Sequence, residues 1–257
     1  ISKNNFFTDV SNYLAYEMGQ PTHVYDIDKL NENNPITLTR TNRPENFLTL
    51  LGKEIKLEEN DLVFYNGDIP INFAGIMGGA ETSCSDNTKN VLIECAYFKP
   101  ESIIGNSVKY DLNSDASHKF ERGVDPTCHE KVLRRFIKIV MDHANVKEIC
   151  LFREDQEDFK NKEIKLDFEK IIKIIGSNIS QSECELILTH FGFKISDGIL
   201  EVPSYRNDIN NHNDLAEEIL RAIGYDNIKI NAIKIPKMKN TITFELEEKI
   251  KDFLIDH

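Results

Sequence analysis

Closely spaced cysteines are missing from this sequence. Its five cysteines are scattered, odd in number and without a C-x-x-C pair; they are Cys84, Cys95, Cys128, Cys150 and Cys184. Cysteine zinc sites and disulfide frameworks both need clustered or paired cysteines. The pattern therefore argues against a zinc site and predicts a reduced protein of the cytoplasm.

Long hydrophobic runs are missing as well. No apolar stretch approaches the roughly 20 residues of a membrane-spanning helix. The first residues lack the basic flank and apolar core of a signal peptide and enter a strand-like pattern directly, as those of an excised fragment would. We therefore expect no membrane partner.

Basic residues are fewer than acidic residues in this sequence. The chain has 31 basic and 43 acidic residues, for a net charge of −12. Because phosphate neutralisation dominates affinity for nucleic acids, such a chain is a poor generic nucleic-acid binder. If it meets a nucleic acid, other chains or domains must supply most of the attraction. The 40% hydrophobic content nevertheless supports well-formed cores in 257 residues.

The first half of the chain has a mixed α and β pattern. Alternating or mostly apolar segments predict strands at residues 36–41, 61–66, 69–74 and 90–98. The polar block at residues 112–126, LNSDASHKFERGVDP, has the composition of a loop. Asp125 is predicted to cap a helix with Pro126 at its first position.

The second half predicts a separate, smaller unit. Residues 154–163 are charged and aperiodic, which indicates a linker between a domain at 1–153 and another at 164–235. The second unit has a strand–helix–helix–hairpin–helix order, which is similar to a winged-helix arrangement. Residues 236–257 begin another amphipathic pattern, interpreted as the start of a truncated third domain. The predicted fold class is α+β.

Three polar groups in the first half are candidate sites: the polar block at residues 112–126 and two others. One contains Asn12 and His23, which a simple capped turn also explains. The other is the glycine turn with Gly75 and Gly78, together with Glu94, which a tight hairpin also explains. Glu94 is the least ordinary member, because a carboxylate in an apolar strand costs free energy unless it meets water, a partner or a ligand.

An acidic set stands out in the second half: Asp208, Asp214, Glu217 and Glu218. The last three are spaced to lie near one face of a helix. Oxygen ligands of this kind suit a hard divalent cation such as magnesium. Favourable negative charge at a helix N-terminus is the alternative, and the residues alone favour it.

Several motifs, in order along the chain, resemble the phenylalanyl-tRNA synthetase β subunit of the bacterial type. They are NYLAYEMGQPTHVYD, GIMGG, IECAYF, DASHKFERGVDP, and VPSYRNDI followed by DLAEEILRAIGYDNI. The first half resembles its B3/B4 editing domain and the second half its B5 domain. The resemblance implies hydrolysis of tyrosine wrongly attached to tRNA(Phe). It also implies an α2β2 heterotetramer with the α subunit, which attaches phenylalanine to tRNA(Phe) using ATP bound outside this chain.

The resemblance also implies which residues form the editing pocket. Glu94 matches the position that accepts a hydrogen bond from the tyrosine hydroxyl, with the backbone of Gly75 or Gly78 nearby. Phenylalanine would leave this carboxylate without a partner, so phenylalanyl-tRNA would be spared.

Four further residues match the pocket: Asn12, His23, Ser114 and Ala116. The resemblance implies that Asn12 and His23 hold the ester end of the tRNA and a hydrolytic water. The family commonly has Thr at the position of Ser114. Because no Ser-His-Asp or Cys-His motif is recognisable, we expect hydrolysis to depend on water placement and on the terminal ribose hydroxyl. His23 as general base is a hypothesis.

For the second half, the resemblance implies that Asp208, Asp214, Glu217 and Glu218 ligate a magnesium ion shared with the α subunit. This reverses the preference for simple helix-end charge. Two alternatives for the whole chain remain open. One is a non-catalytic scaffold or tRNA-binding module with a degenerate pocket. The other is a nucleic-acid-binding regulator, which the acidic balance disfavours.

Overall fold

The fold combines helices with antiparallel sheets, which confirms the α+β prediction. A computed structural model describes residues 3–154, 159–228 and 242–256. The helices are α1 (Phe6–Glu17), α2 (Asn106–Lys109), α3 (Asp115–Arg122), α4 (His129–His143), α5 (Phe168–Ile175), α6 (Gln181–His190), α7 (His212–Ile223) and α8 (Ile242–Ile255). Within the described ranges, none of the helices has the length and apolar content to cross a membrane.

Eleven strands are described, and they form four small sheets. They are β1 (His23–Asp26), β2 (Ile36–Arg40), β3 (Glu45–Leu48), β4 (Glu54–Leu57), β5 (Leu62–Asn66), β6 (Ile69–Phe73), β7 (Met77–Gly78), β8 (Val91–Glu94), β9 (Glu163–Lys165), β10 (Lys194–Ser196) and β11 (Ile199–Glu201). The sheet orders are β1-β8, β3-β4, β2-β5-β6-β7 and β10-β11-β9. The strand predictions at 36–41, 61–66 and 69–74 are confirmed to within a residue, whereas that at 90–98 is too long.

The β1-β8 ribbon is central to the first unit. Its antiparallel register pairs His23 with Glu94 and Val24 with Ile93. Because side chains alternate along a strand, Val24 and Ile93 share one face, which packs in an apolar cluster with residues of α1 and α4. His23 and Glu94 lie on the opposite face.

The polar block at residues 112–126 is not the loop that its composition predicts. Most of it forms α3, which begins with a reciprocal capping box between Ser114 and Ser117 and buries Phe120 in the main core. The predicted start of the next helix at Asp125 is also wrong. The Asp125 side chain accepts the Thr127 N–H at 2.9 Å, which makes a turn, and α4 begins at His129.

The second unit follows the predicted order closely. Its helix α6 begins with a capping box of Ser180 and Glu183. The β10-β11 hairpin turns at Asp197 and Gly198, both with positive φ as a tight hairpin requires. Residues 155–158 of the predicted linker, and the predicted boundary between 235 and 236, lie outside the described residues.

The two units touch through residues 120–127 of the first and 202–209 of the second. The amide of Asn207 donates to the Val124 carbonyl at 3.2 Å. The hydroxyls of Thr127 and Ser204 are 3.0 Å apart. Gly123 has a φ of +87°, and a Cβ there would lie 2.8 Å from Nδ2 of Asn207. A side chain at Gly123 would therefore both strain the backbone and separate the contact.

Candidate functional site

The carboxylate of Glu94 lies in a closed triangle of hydrogen bonds. The Tyr25 hydroxyl donates to Oε2 of Glu94 at 2.6 Å. The amide nitrogen Nδ2 of Asn72 lies 3.1 Å from the same oxygen and 2.9 Å from the Tyr25 hydroxyl. The three residues come from β8, β1 and β6, so the triangle joins the β1-β8 ribbon to the four-stranded sheet.

Burial governs the ionisation of this triangle. Desolvation raises the pKa of Glu94 to about 7, while the hydrogen bonds from Tyr25 and Asn72 act in the opposite direction. Burial, and then the neighbouring Glu94 carboxylate, raise the pKa of Tyr25 well above its ordinary value. Tyr25 therefore stays a hydrogen-bond donor, and Glu94 changes charge near neutral pH.

His23 lies opposite Glu94 in the ribbon. Its ring packs edge-on against that of Tyr25, with the centroids 4.4 Å apart. Its Nε2 is buried and has no hydrogen-bond partner within the described part of the chain. Burial lowers the pKa of His23 to about 4, so the ring is neutral at neutral pH. An unpartnered buried nitrogen calls for an explanation, and a water or ligand would provide one.

Gly78 is the glycine that contacts His23. A Cβ at this position would lie 2.2 Å from Cε1 of the His23 ring and 2.8 Å from Cδ1 of Leu50. Only glycine fits there unless the imidazole moves. Gly75 differs, because a Cβ there would meet Ile103 and Phe98 of the apolar core. The structure therefore brings Gly78, but not Gly75, against the candidate site.

Ser114 contacts the glycine turn, and its hydroxyl already makes two hydrogen bonds within the chain. It donates to the Ile76 carbonyl at 2.8 Å and accepts the Ser117 N–H at 3.0 Å. These contacts explain Ser114 as the N-cap of α3 and give no support to a catalytic role. Ala116 follows in the first turn of α3 and packs, partly buried, against the main core.

Asn12 lies on α1, beside the strand that carries His23. The neighbouring Ser11 hydroxyl donates to the Thr22 carbonyl at 2.6 Å, which fixes α1 against the start of β1. No hydrogen bond among the described residues joins Asn12 to His23 or Glu94. Its predicted role stays a prediction.

Sequence reasoning missed Tyr25 and Asn72. Both carry a signal that was available: Tyr25 follows His23 by two positions in a strand and so shares its face. Asn72 is a polar residue within an otherwise apolar strand, as Glu94 is. A polar residue within each of two apolar strands indicates that the two side chains can be hydrogen-bonded to each other.

Two members of the acidic set face arginines. The guanidinium of Arg206 contacts both oxygens of Asp208, at 2.8 and 2.6 Å. It also lies 3.0 Å from Oε2 of Glu218, which Arg221 contacts at 2.6 Å. Glu218 is only 4% exposed. Arg206 lowers the pKa of Asp208.

The other two acidic residues point elsewhere. Asp214 accepts the N–H groups of Asn210 and Asn211, at 2.7 and 3.0 Å, at the start of α7. Glu217 is exposed. Within residues 3–154, 159–228 and 242–256, no three His, Cys, Asp or Glu side chains are placed to hold one metal ion. Arginines engage Asp208 and Glu218, and helix-capping bonds engage Asp214. The predicted magnesium site stays a prediction.

Comparison with known families matches both units. A model of the B3/4 domain family matches residues 1–145. A model of the tRNA synthetase B5 domain matches residues 164–225. These ranges agree with the two units that the helices, sheets and cores define.

Curated relatives share the name phenylalanine–tRNA ligase beta subunit. One from Photorhabdus laumondii is 34% identical over 259 residues, covering 96% of this chain and 32% of that protein. One from Protochlamydia amoebophila is also 34% identical over 259 residues, covering 98% and 32%. The chain thus spans about a third of the length of these relatives.

Among solved structures, an N-terminal fragment of the phenylalanyl-tRNA synthetase β subunit from Pyrococcus horikoshii is similar to this chain. It has a TM-score of 0.41 and 17% sequence identity. The match covers 85% of this chain and 65% of that one. The fold class of this chain is therefore taken from its own sheets and helices.

Proposed function

Because this chain belongs to the B3/4 domain family and continues into a tRNA synthetase B5 domain, we propose that it edits mischarged tRNA within a phenylalanyl-tRNA synthetase β subunit. The reaction is hydrolysis of the ester that joins tyrosine to tRNA(Phe). The observation that carries the proposal is the Glu94 carboxylate, which is half-buried in an apolar strand and bound to a phenolic hydroxyl.

The selectivity follows from the chemistry of Glu94. A synthetic pocket for an aromatic side chain discriminates weakly against an analogue that only adds a hydroxyl, so a second site must reward that hydroxyl. Glu94 accepts the Tyr25 phenol at 2.6 Å, and a substrate phenol offers the same donor. A phenylalanine side chain would cover the carboxylate without a hydrogen bond, at a cost of about 1–3 kcal/mol.

His23 pairs with this selective residue in the β1-β8 register and supplies a further polar group on the same face. Its unpartnered Nε2 lies against Gly78, where the missing side chain leaves the backbone close to the ring. A neutral imidazole with a pKa of about 4 is a weak base at neutral pH. We therefore assign His23 to orienting a water or the tRNA ester. In this proposal the terminal ribose hydroxyl assists hydrolysis, and no covalent enzyme intermediate forms.

The same proposal includes partners. We expect the chain to work with the α subunit in the cytoplasm, in an α2β2 assembly that binds tRNA(Phe) and uses ATP for synthesis outside this chain. The net charge of −12 requires that other regions supply most of the phosphate attraction. The B5 unit has no described magnesium set, so no step here depends on one.

A degenerate, non-catalytic pocket is the second candidate, and one observation favours it. Oε2 of Glu94 already accepts two hydrogen bonds from within the chain. If the carboxylate were wholly committed to this internal pair, substrate tyrosine would gain nothing over phenylalanine.

The test is deacylation of tyrosyl-tRNA(Phe) and phenylalanyl-tRNA(Phe) by the assembled synthetase carrying Glu94→Ala. We expect the preference for the tyrosyl substrate to fall about 10- to 100-fold, as for a lost hydrogen bond to a charged group. Glu81→Ala, which truncates an exposed carboxylate of the same unit, is the matched control. An unchanged preference in the Glu94 variant would reject editing at this site and leave the scaffold alternative.

A further inference from the structure

The bonds around Glu94 assign a role to two residues outside the predicted site. We infer that Tyr25 and Asn72 are positioning residues for specificity, which hold Oε2 of Glu94 so that Oε1 accepts the hydroxyl of a bound tyrosine. This inference rests on the proposed function, because it describes how that function's selective group is prepared.

The two carboxylate oxygens of Glu94 differ in their hydrogen bonds. Both internal hydrogen bonds end on Oε2, at 2.6 Å from Tyr25 and 3.1 Å from Asn72. Neither uses Oε1. Asn72 also donates to the Tyr25 hydroxyl at 2.9 Å, so each corner of the triangle restrains the other two. A carboxylate held at one oxygen cannot rotate freely, which fixes where the other oxygen points.

The surroundings of the triangle make it rigid. Tyr25 is 1% exposed and Asn72 is 4% exposed. Tyr25 is further held by the edge-on His23 ring and by the backbone ladder between β1 and β8. Because these residues belong to three strands in two sheets, their side chains cannot adjust to a ligand without moving the sheets. Such a supporting shell is typical of sites that need a fixed acceptor.

The charge of Glu94 depends on the same two donors. The titratable groups that face it from β1 are Tyr25 and His23, Asn72 from β6 is uncharged, and Cys95 follows it on β8. Hydrogen bonds from Tyr25 and Asn72 favour the ionised form, whereas burial opposes it. Removing either donor must therefore raise the pKa of Glu94. A protonated Glu94 is a weaker acceptor for a phenol, so the tyrosine preference becomes pH-dependent.

The test measures the ratio of tyrosyl- to phenylalanyl-tRNA deacylation by the assembled synthetase, from about pH 5 to about pH 9. In the native protein we expect the ratio to rise with pH, with a midpoint near the Glu94 pKa of about 7. Tyr25→Phe removes only the hydroxyl and should move that midpoint upward by about one pH unit. Asn72→Ser should move it in the same direction.

Tyr110→Phe is the matched control. The Tyr110 hydroxyl also donates to a buried carboxylate of this unit, that of Asp61. Its loss removes the same kind of bond away from the site, so we expect lower stability with an unchanged midpoint. If Tyr25→Phe fails to fold, judged by cooperative unfolding, Asn72→Ser carries the test.

The outcomes separate this inference from the proposed function. If the native protein shows no tyrosine preference at any pH, the proposed function fails. If the preference is present and is lost in Glu94→Gln, but neither Tyr25→Phe nor Asn72→Ser moves the midpoint, only the positioning role fails. A higher tyrosine preference in Tyr25→Phe would also overturn it, because that result shows Tyr25 competing with the substrate phenol.

Discussion

The half-buried carboxylate of Glu94 leads to a sharp prediction about how the stability of the fold depends on pH. Replacing it by Gln keeps the shape of the side chain and an oxygen that can accept from Tyr25 and Asn72, but removes the charge. The folded-state pKa of Glu94 is about 7, above the ordinary value of 4.5. Between these values the folded state binds more protons than the unfolded state, so the free energy of unfolding falls as pH rises.

The magnitude follows from the interval between the two pKa values. The contribution of Glu94 is fully present below about pH 4.5 and is lost as pH rises through about 7. An interval of about 2.5 units, at about 1.4 kcal/mol each, corresponds to about 3.5 kcal/mol over the full titration. Glu94→Gln has no such loss. Relative to the native chain, the variant should therefore gain about 3 kcal/mol between about pH 4 and about pH 8.

The assay is urea denaturation of the 257-residue chain at several pH values, followed by circular dichroism and tyrosine fluorescence. Glu81→Gln removes an exposed carboxylate from the same unit and should give a curve parallel to that of the native chain. Parallel curves for Glu94→Gln and the native chain would refute the reasoning, because Glu94 would then have the same pKa in the folded and unfolded states.

Three further substitutions test other contacts. Gly78→Ala should reduce tyrosyl-tRNA deacylation at least 10-fold and lower stability by about 1–3 kcal/mol, measured by thermal unfolding, because its Cβ would displace His23. Gly123→Ala should destabilise more than Gly176→Ala in the same assay, because both have positive φ but only Gly123 has a neighbour within 4 Å of the added Cβ. Arg206→Ala should lower the free energy of urea unfolding by about 2–4 kcal/mol, because it removes a cation from two carboxylates, one of them buried.

Elements with strong local signals could be predicted from the sequence. The strand at Ile69–Phe73, the helix at Phe168–Ile175 and the hairpin at Asp197 and Gly198 depend on alternation, periodicity and turn chemistry. These are short-range properties, so each element can be predicted from the residues of its own segment. The pairing of Glu94 with His23 is different, because it depends on the register of two strands far apart in sequence.

Other features of the structure depend on contacts that composition does not show. The block at residues 112–126 is polar yet forms α3, because the Ser114 cap and the burial of Phe120 outweigh weak helix propensity. For the acidic set, spacing places carboxylates near one another but gives no information about Arg206. This arginine lies two positions before Asp208 and twelve before Glu218, and it contacts both carboxylates.

The register of the β1-β8 ribbon has a consequence for how this protein can vary. Residues 27–90 leave the ribbon and return to it, so length changes within that excursion leave the pairing of His23 with Glu94 intact. A single residue inserted within either strand would instead turn one of these side chains towards the apolar cluster with α1 and α4. Natural variation in length should therefore accumulate in the loops of the excursion and avoid the eight residues of the two strands, as well as β6 and β7, which carry Asn72 and Gly78.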